Sequence, residues 1–193
     1  MSATGRSAAA KTGHVRAASD FYETPSGVVR AILPHLPALR PFDPCAGRGA
    51  ILTASGMRGD GIELHEEHAE FARRAGHAVD TADALTTPWL TRHGRAPSLV
   101  IANPPFALAQ EFVELALAAV DPVRGTVAML LRLAFLESRK RAAFHQAAPA
   151  DVFVLAERPS FTGNGKTDSA AVAWMVWGPG RGGRWSILAP EAA

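Results

Sequence analysis

Leu99-Val100-Ile101-Ala102-Asn103-Pro104-Pro105-Phe106 is an apolar run halted by two consecutive prolines. Proline has no amide hydrogen and a fixed φ, so a strand reaching this dipeptide cannot continue its ladder. The stretch predicts a strand over 98–102 and a stiff turn that leaves the Asn103 carboxamide and nearby carbonyls at the strand's carboxyl end. Open α/β sheets bind their ligands at that edge. Two acceptors beside an aromatic ring suit a planar group bearing an NH2. The amide oxygen and a carbonyl each take one amino hydrogen, and the ring stacks on the flat face. Alone, the same residues also fit a proline-stiffened turn with no chemistry.

Outward from this turn, strands and helices alternate. Thr24-Pro25-Ser26 opens a first helix, with Thr24 as its cap and Val28, Val29, Ile32, Leu33 and Leu36 on one face. Phe42 leads a strand into the turn Asp43-Pro44-Cys45-Ala46-Gly47-Arg48-Gly49, and a short helix follows through Ile51 and Leu52. Strands are predicted over 61–64 and 77–79. A helix over 65–75 lies between them, acidic at its start and basic at its end, as the helix dipole favours. Residues 107–120 read as a helix and 125–131 as a strand buried on both faces. Residues 138–147 read as a basic helix. Strands over 152–155 and 170–177 follow, joined only by a loop and so antiparallel. The pattern predicts an α/β fold with a mostly parallel sheet covered by helices on both faces.

With 193 residues, 48% of them apolar and 20% charged, the chain reads as a globular protein. Residues 1–18 read as a mobile basic arm, and 19–193 as one domain. No apolar stretch approaches the roughly 20 residues that span a bilayer. The start lacks a secretory apolar segment, so the expected compartment is cytoplasmic and no membrane partner is expected. One cysteine excludes an internal disulfide and a cysteine-cluster metal site. His65 and His68 stand at i, i+3 without further ligands and read as a solvated helix face, so no metal is expected. Net charge is +2 but unevenly spread: five basic and two acidic residues over 1–40, six and eleven over 41–121, nine and five over 122–193. Basic flanks around an acidic middle suit a polyanion and a cationic ligand, though scattered surface charge gives the same counts.

The turn over 43–49 lacks the Gly-Lys-Ser/Thr of a phosphate loop, and Leu52 stands where a dinucleotide fingerprint has its third glycine. Loop amides near Gly47 and Gly49 suit a carboxylate, and Asp43 suits an ammonium, so a zwitterion fits better than a pyrophosphate. Glu63, ending the next strand, either accepts two hydrogen bonds from ribose hydroxyls or begins an acidic helix start with Glu66 and Glu67. Asp83 either accepts an adenine amino group or caps a turn.

Asn103-Pro104-Pro105-Phe106 resembles the Asn-Pro-Pro-(Phe/Tyr) motif of amino-group methyltransferases that use S-adenosylmethionine, above all the DNA adenine-N6 enzymes. The motif order agrees: Asp20-Phe21-Tyr22-Glu23-Thr24-Pro25, then 43–49, Glu63, Asp83 and 103–106. The resemblance covers roughly residues 20–177. It implies a Rossmann-like class I fold with a seven-stranded sheet ending in a reversed hairpin. It also implies that Tyr22, Thr24 and Pro25 close over the methionine end of the cofactor, and that Asp43, Cys45, Gly47, Gly49, Glu63, Asp83 and Asn103 line the rest. Physically, an aromatic face suits a sulfonium, and the Thr24 hydroxyl suits a carboxylate; a capped helix start is the structural alternative. Cys45 lies inside this loop as a structural thiol. The Pro-Cys nucleophile of cytosine-C5 enzymes instead stands where Asn103–Phe106 stands here.

The resemblance further implies that Asn103 and the Pro104 carbonyl hold the target amine within the stiff Pro104-Pro105 turn while Phe106 stacks on the base. A base in a duplex must be flipped out, or already unpaired, to enter such a pocket. The segment 158–168 resembles the family's late loop, with Phe161 against the base and Lys166 on a phosphate, although a glycine-rich hairpin reads the same. Arg139, Lys140 and Arg141 are backbone-contact candidates or a solvated face. DNA is the expected partner. RNA adenine or guanine amines and protein glutamine amides pose the same geometric problem, and a catalytically inactive nucleic-acid-binding module is a further reading. Oligomeric state is not encoded in any motif. Residues 19–193 hold no added target-recognition region, and phosphate contacts do not read sequence, so relaxed or very short specificity is expected. Methylation of random duplexes should yield modified adenines without a common site; a motif of five or more defined bases would contradict this.

Overall fold

The computed structural model describes residues 23–161 and 170–189. Tyr22, Lys166 and the arm predicted over 1–18 lie outside the described residues. Helix α1 is Ser26–Ile32, α2 Ala50–Ala54, α3 Glu66–Arg74, α4 Ala109–Ala119 and α5 Ala142–Ala147. The strands are β1 Pro41–Asp43, β2 Asp60–Glu63, β3 Ala78–Thr81, β4 Leu99–Ala102, β5 Thr126–Arg132, β6 Asp151–Leu155, β7 Val172–Trp177 and β8 Trp185–Leu188. They form one sheet in the order β3-β2-β1-β4-β5-β7-β6-β8. β3, β2, β1, β4 and β5 are parallel neighbours, and β7 runs antiparallel to both β5 and β6. The expected reversed pair is therefore present.

Strand alternation sorts the core into two layers. Val100, Ala102, Val127, Met129, Leu131, Met175 and Trp177 join Phe112, Val113 and Ala116 of α4 on one face. Ile101, Ala128, Leu130, Trp174 and Val176 join Val29 and Ile32 of α1 on the other. The even burial of β4 and β5 explains their unbroken apolar runs, since a strand covered on both faces has no solvent side. Trp174 donates its indole N–H to the Val28 carbonyl at 2.9 Å, which ties α1 to the middle of the sheet.

Below the site, His77 braces the last turn of α2, the helix after the glycine loop. Gly59 N–H donates to its Nδ1 at 3.2 Å, so the ring hydrogen belongs on Nε2, 3.0 Å from Thr53 Oγ1. Burial, then the charges of Arg40 and Arg58, lower its pKa.

Four expectations need correction. Thr24 does not cap α1: Pro25 occupies that position and no side chain caps the helix. The basic helix begins at 142, because residues 138–141 form a turn in which Arg141 donates to the Phe135 and Ala134 carbonyls at 2.7 and 3.0 Å. His68 is buried on α3, with Nδ1 3.8 Å from Glu63, so only His65 belongs to the solvated face. An eighth strand extends the expected seven. β8 pairs parallel with β6 and is pinned by the buried Asp151 carboxylate. Its Oδ1 accepts the Gly182 and Arg184 N–H groups at 3.1 and 3.0 Å, and its Oδ2 pairs with Arg184 at 2.9 Å and Arg181 at 3.3 Å.

Burial pushes the Asp151 carboxyl up, but the donors of Arg184, Gly182 and Arg181 prevail and hold it well below the ordinary carboxylate range. An acid depressed in the fold contributes stability above its unfolded pKa, near 4, and loses it as pH falls further. Asp151→Asn should therefore cost about 1–3 kcal/mol in urea unfolding at pH 7. The gap to the parent should shrink below about pH 4; a gap independent of pH would contradict the assignment.

Candidate active site

Strand order reverses between β1 and β4, which lie side by side with Phe42 opposite Val100. A crevice opens at the carboxyl ends where such a reversal occurs. The loop after β1 and the Asn103 turn after β4 flank it.

On the β1 side the loop is held by two buried carboxylates. Asp43, 1% exposed, accepts the Cys45 N–H at 3.0 Å. Glu63, 3% exposed, ends β2 and accepts the Gly47 N–H at 2.8 Å through Oε2 and the His65 N–H at 3.0 Å through Oε1. Ala46 N–H adds a bond to the Ile62 carbonyl at 2.9 Å. Glu63 thus ends β2 and braces the residue that precedes α3. Burial pushes the Asp43 carboxyl up to about 7, opposed by the Cys45 amide and reinforced by the charge of Glu63. A cation at that carboxyl would offset its lost hydration.

Gly49 has φ +84°, and a Cβ there would stand 3.1 Å from the Ala72 Cβ and 3.2 Å from His77. Its missing side chain admits α3 and His77, a packing reason that adds to the expected close approach of a ligand. Gly61 is tighter, because a Cβ would meet the Asp43 carbonyl at 2.5 Å. Asp83 lies one strand beyond Glu63; its Oδ1 accepts the Leu85 N–H at 2.9 Å in a local turn. Ala82 N–H donates to the Glu63 carbonyl at 3.0 Å and joins that segment to the site.

On the β4 side, Asn103 is half-buried, and its Nδ2 donates to Thr24 Oγ1 at 3.1 Å. Among the described residues, nothing donates to Asn103 Oδ1 or to the Pro104 carbonyl, whereas the Pro105 carbonyl accepts the Leu108 N–H at 2.9 Å. Asn103 Oδ1 and the Pro104 carbonyl thus stand open at the turn. Phe106 packs partly into the core, and the Arg132 guanidinium lies over its ring, 4.6 Å from the centroid. Arg132, at the carboxyl end of β5, escaped the sequence reading. The signal was present, since one charge ends an otherwise apolar strand beside the Asn103 turn.

Arg139 and Lys140 are exposed on the β5–α5 connection at the same sheet edge, while Arg141 is engaged with Phe135. Phe161 is half-buried against the same core layer as Phe106, which limits its freedom to stack elsewhere. Thr24 is brought to Asn103, with Pro25 at the start of α1.

No protein-family model and no curated protein matches this chain. Solved structures do. The methyltransferase subunit of a type I restriction-modification system from Streptococcus thermophilus superposes with a TM-score of 0.67 at 16% identity, over 87% of this chain and 47% of its own. A predicted O-methyltransferase from Agrobacterium tumefaciens gives 0.57 at 22% identity, over 86% and 85%. An RNA methyltransferase from Salinibacter ruber, solved with S-adenosyl-L-homocysteine, gives 0.51 at 15% identity, over 80% and 92%. The present chain spans about half the length of the Streptococcus subunit. What is shared at these identities is the fold. The chain has the Rossmann-like fold of class I methyltransferases.

A carboxyl raised in the fold destabilises it as pH climbs from the unfolded pKa to the folded one. Asp43→Asn should thus gain on the parent in melting experiments between about pH 4 and 7, reaching roughly 2–4 kcal/mol by pH 8 without ligand. No gain would show that Asp43 is not strained by burial.

Proposed function

We propose that this protein transfers a methyl group from S-adenosylmethionine to the N6 amino group of adenine in DNA. The observation that carries the reading is the pair of unengaged acceptors, Asn103 Oδ1 and the Pro104 carbonyl, at a strand end adjoining the glycine loop. The loop fits the cofactor's chemistry. Asp43 is a buried carboxyl that a cationic ammonium would relieve, and Glu63 stands at the strand end where ribose hydroxyls are held. S-adenosyl-L-homocysteine in the Salinibacter ruber relative supports the same ligand class. Bound S-adenosylmethionine supplies an electrophilic methyl group on sulfonium.

The residues of this chain address the amine. An adenine amino nitrogen is a weak nucleophile because its lone pair is delocalised into the ring. Acceptors on both its hydrogens favour pyramidal geometry, aim the lone pair along the line of displacement and stabilise the positive charge that develops. The lone pair forms the N–C bond as the C–S bond breaks, and the surplus amino proton leaves to solvent. Phe106, braced by Arg132, offers a surface for the base.

Charge supports a nucleic acid over a protein amide. Arg132 ends β5, and Arg139, Lys140 and Arg158 lie on the connections leaving the carboxyl ends of β5 and β6, against Glu137 and Glu157 there. DNA is favoured over RNA by the motif order, with the aromatic-Glu-Thr-Pro segment ahead of the loop. Tritiated S-adenosylmethionine offered with DNA, RNA or protein should label DNA at adenine N6. Asn103→Ala should lower turnover at least about 100-fold while sparing cofactor affinity, and Asp43→Ala should weaken that affinity. Label confined to RNA or protein, or parental turnover in both variants, would contradict the proposal.

A further inference from the structure

We infer that the Thr24 hydroxyl holds the Asn103 side chain in place at the turn, which makes Thr24 a positioning residue for methyl transfer. This rests on the function proposed above. An asparagine amide has two orientations of nearly equal shape, related by a half-turn. Only one presents Oδ1 to a substrate amine; the other sets N–H against N–H. A hydroxyl on the far side can donate or accept, so what it fixes is the position of the amide, and with Nδ2 donating to it, Oδ1 is left for the substrate amine.

Here that group is Thr24 Oγ1, 3.1 Å from Nδ2 and 79 residues away in sequence. Thr24 is 6% exposed, so bulk water is a poor competitor for the contact. Its placement is rigid. Pro25 fixes the backbone after it, and α1 is anchored by the Trp174 indole on the Val28 carbonyl. Val29 and Ile32 of α1 pack in one cluster with Ile101, two residues before Asn103. The core that seats the catalytic strand therefore also seats the hydroxyl. No capping duty competes, because no side chain caps α1.

Thr24→Val keeps the side-chain shape and removes the hydroxyl, while Thr24→Ser keeps the hydroxyl. At saturating donor, kcat should fall at least about tenfold in Thr24→Val, with KM for DNA little changed. Thr24→Ser should recover most of the loss. Calorimetric affinity for S-adenosyl-L-homocysteine should fall by a smaller factor than kcat in Thr24→Val and recover with it in Thr24→Ser. If Thr24→Val melts well below the parent, Thr24→Ala serves as a second hydroxyl-free variant with the same expected split. Parental kcat without the hydroxyl would overturn the inference, as would a loss falling mainly on affinity for the homocysteine product, which would assign Thr24 to the donor site. A wild-type protein that transfers no methyl, or an Asn103→Ala variant that is not slowed, would instead remove the underlying function.

Discussion

The parallel ladder between β1 and β4 is the constraint on which the site depends. Phe42 opposite Val100 brings two strand ends to one level, one followed by a glycine loop and the other by a diproline turn. Parallel neighbours leave their carboxyl ends on the same edge, and the reversal of strand order between them keeps that edge open. Neither half could be built by local sequence alone. The ladder forms because both strands are buried on two faces and helices stand ready to cover each face.

Electrostatics divides that edge into two regions. The β1–β2 side holds Asp43 and Glu63, both buried and both engaged by backbone N–H groups, so the loop is fixed before any ligand arrives. The β4–β5 side holds a neutral amide and carbonyl, with Arg132 on the ring of Phe106. Backbone donors hold the carboxylates in place, and the incomplete compensation at Asp43 leaves it suited to a cation. The whole-chain charge of +2 conceals this division.

Much of this arrangement was legible in the chain. The apolar runs of β4 and β5, the two prolines and the glycine spacing located the strand ends correctly, because each depends on local chemistry. What escaped depended on distant partners. Thr24 looks like a helix cap beside Pro25, and only the fold brings Asn103 to it. Arg141 looks like surface charge until Phe135 folds back beneath it. β8 is four residues after a glycine-rich stretch, too short to announce itself without Asp151 to hold it. His68 follows the helical pattern of its neighbours yet turns inward to Glu63. Gly49 reads as an approach point for a ligand, and the fold adds Ala72 and His77 as reasons for its missing side chain.

Titration calorimetry of the purified protein with S-adenosylmethionine tests the shared premise most directly. A single site per chain, lost in Asp43→Ala and kept in Asn103→Ala, is the outcome this account predicts. No measurable heat of binding for the donor or its demethylated product, from a protein shown to be folded, would contradict it.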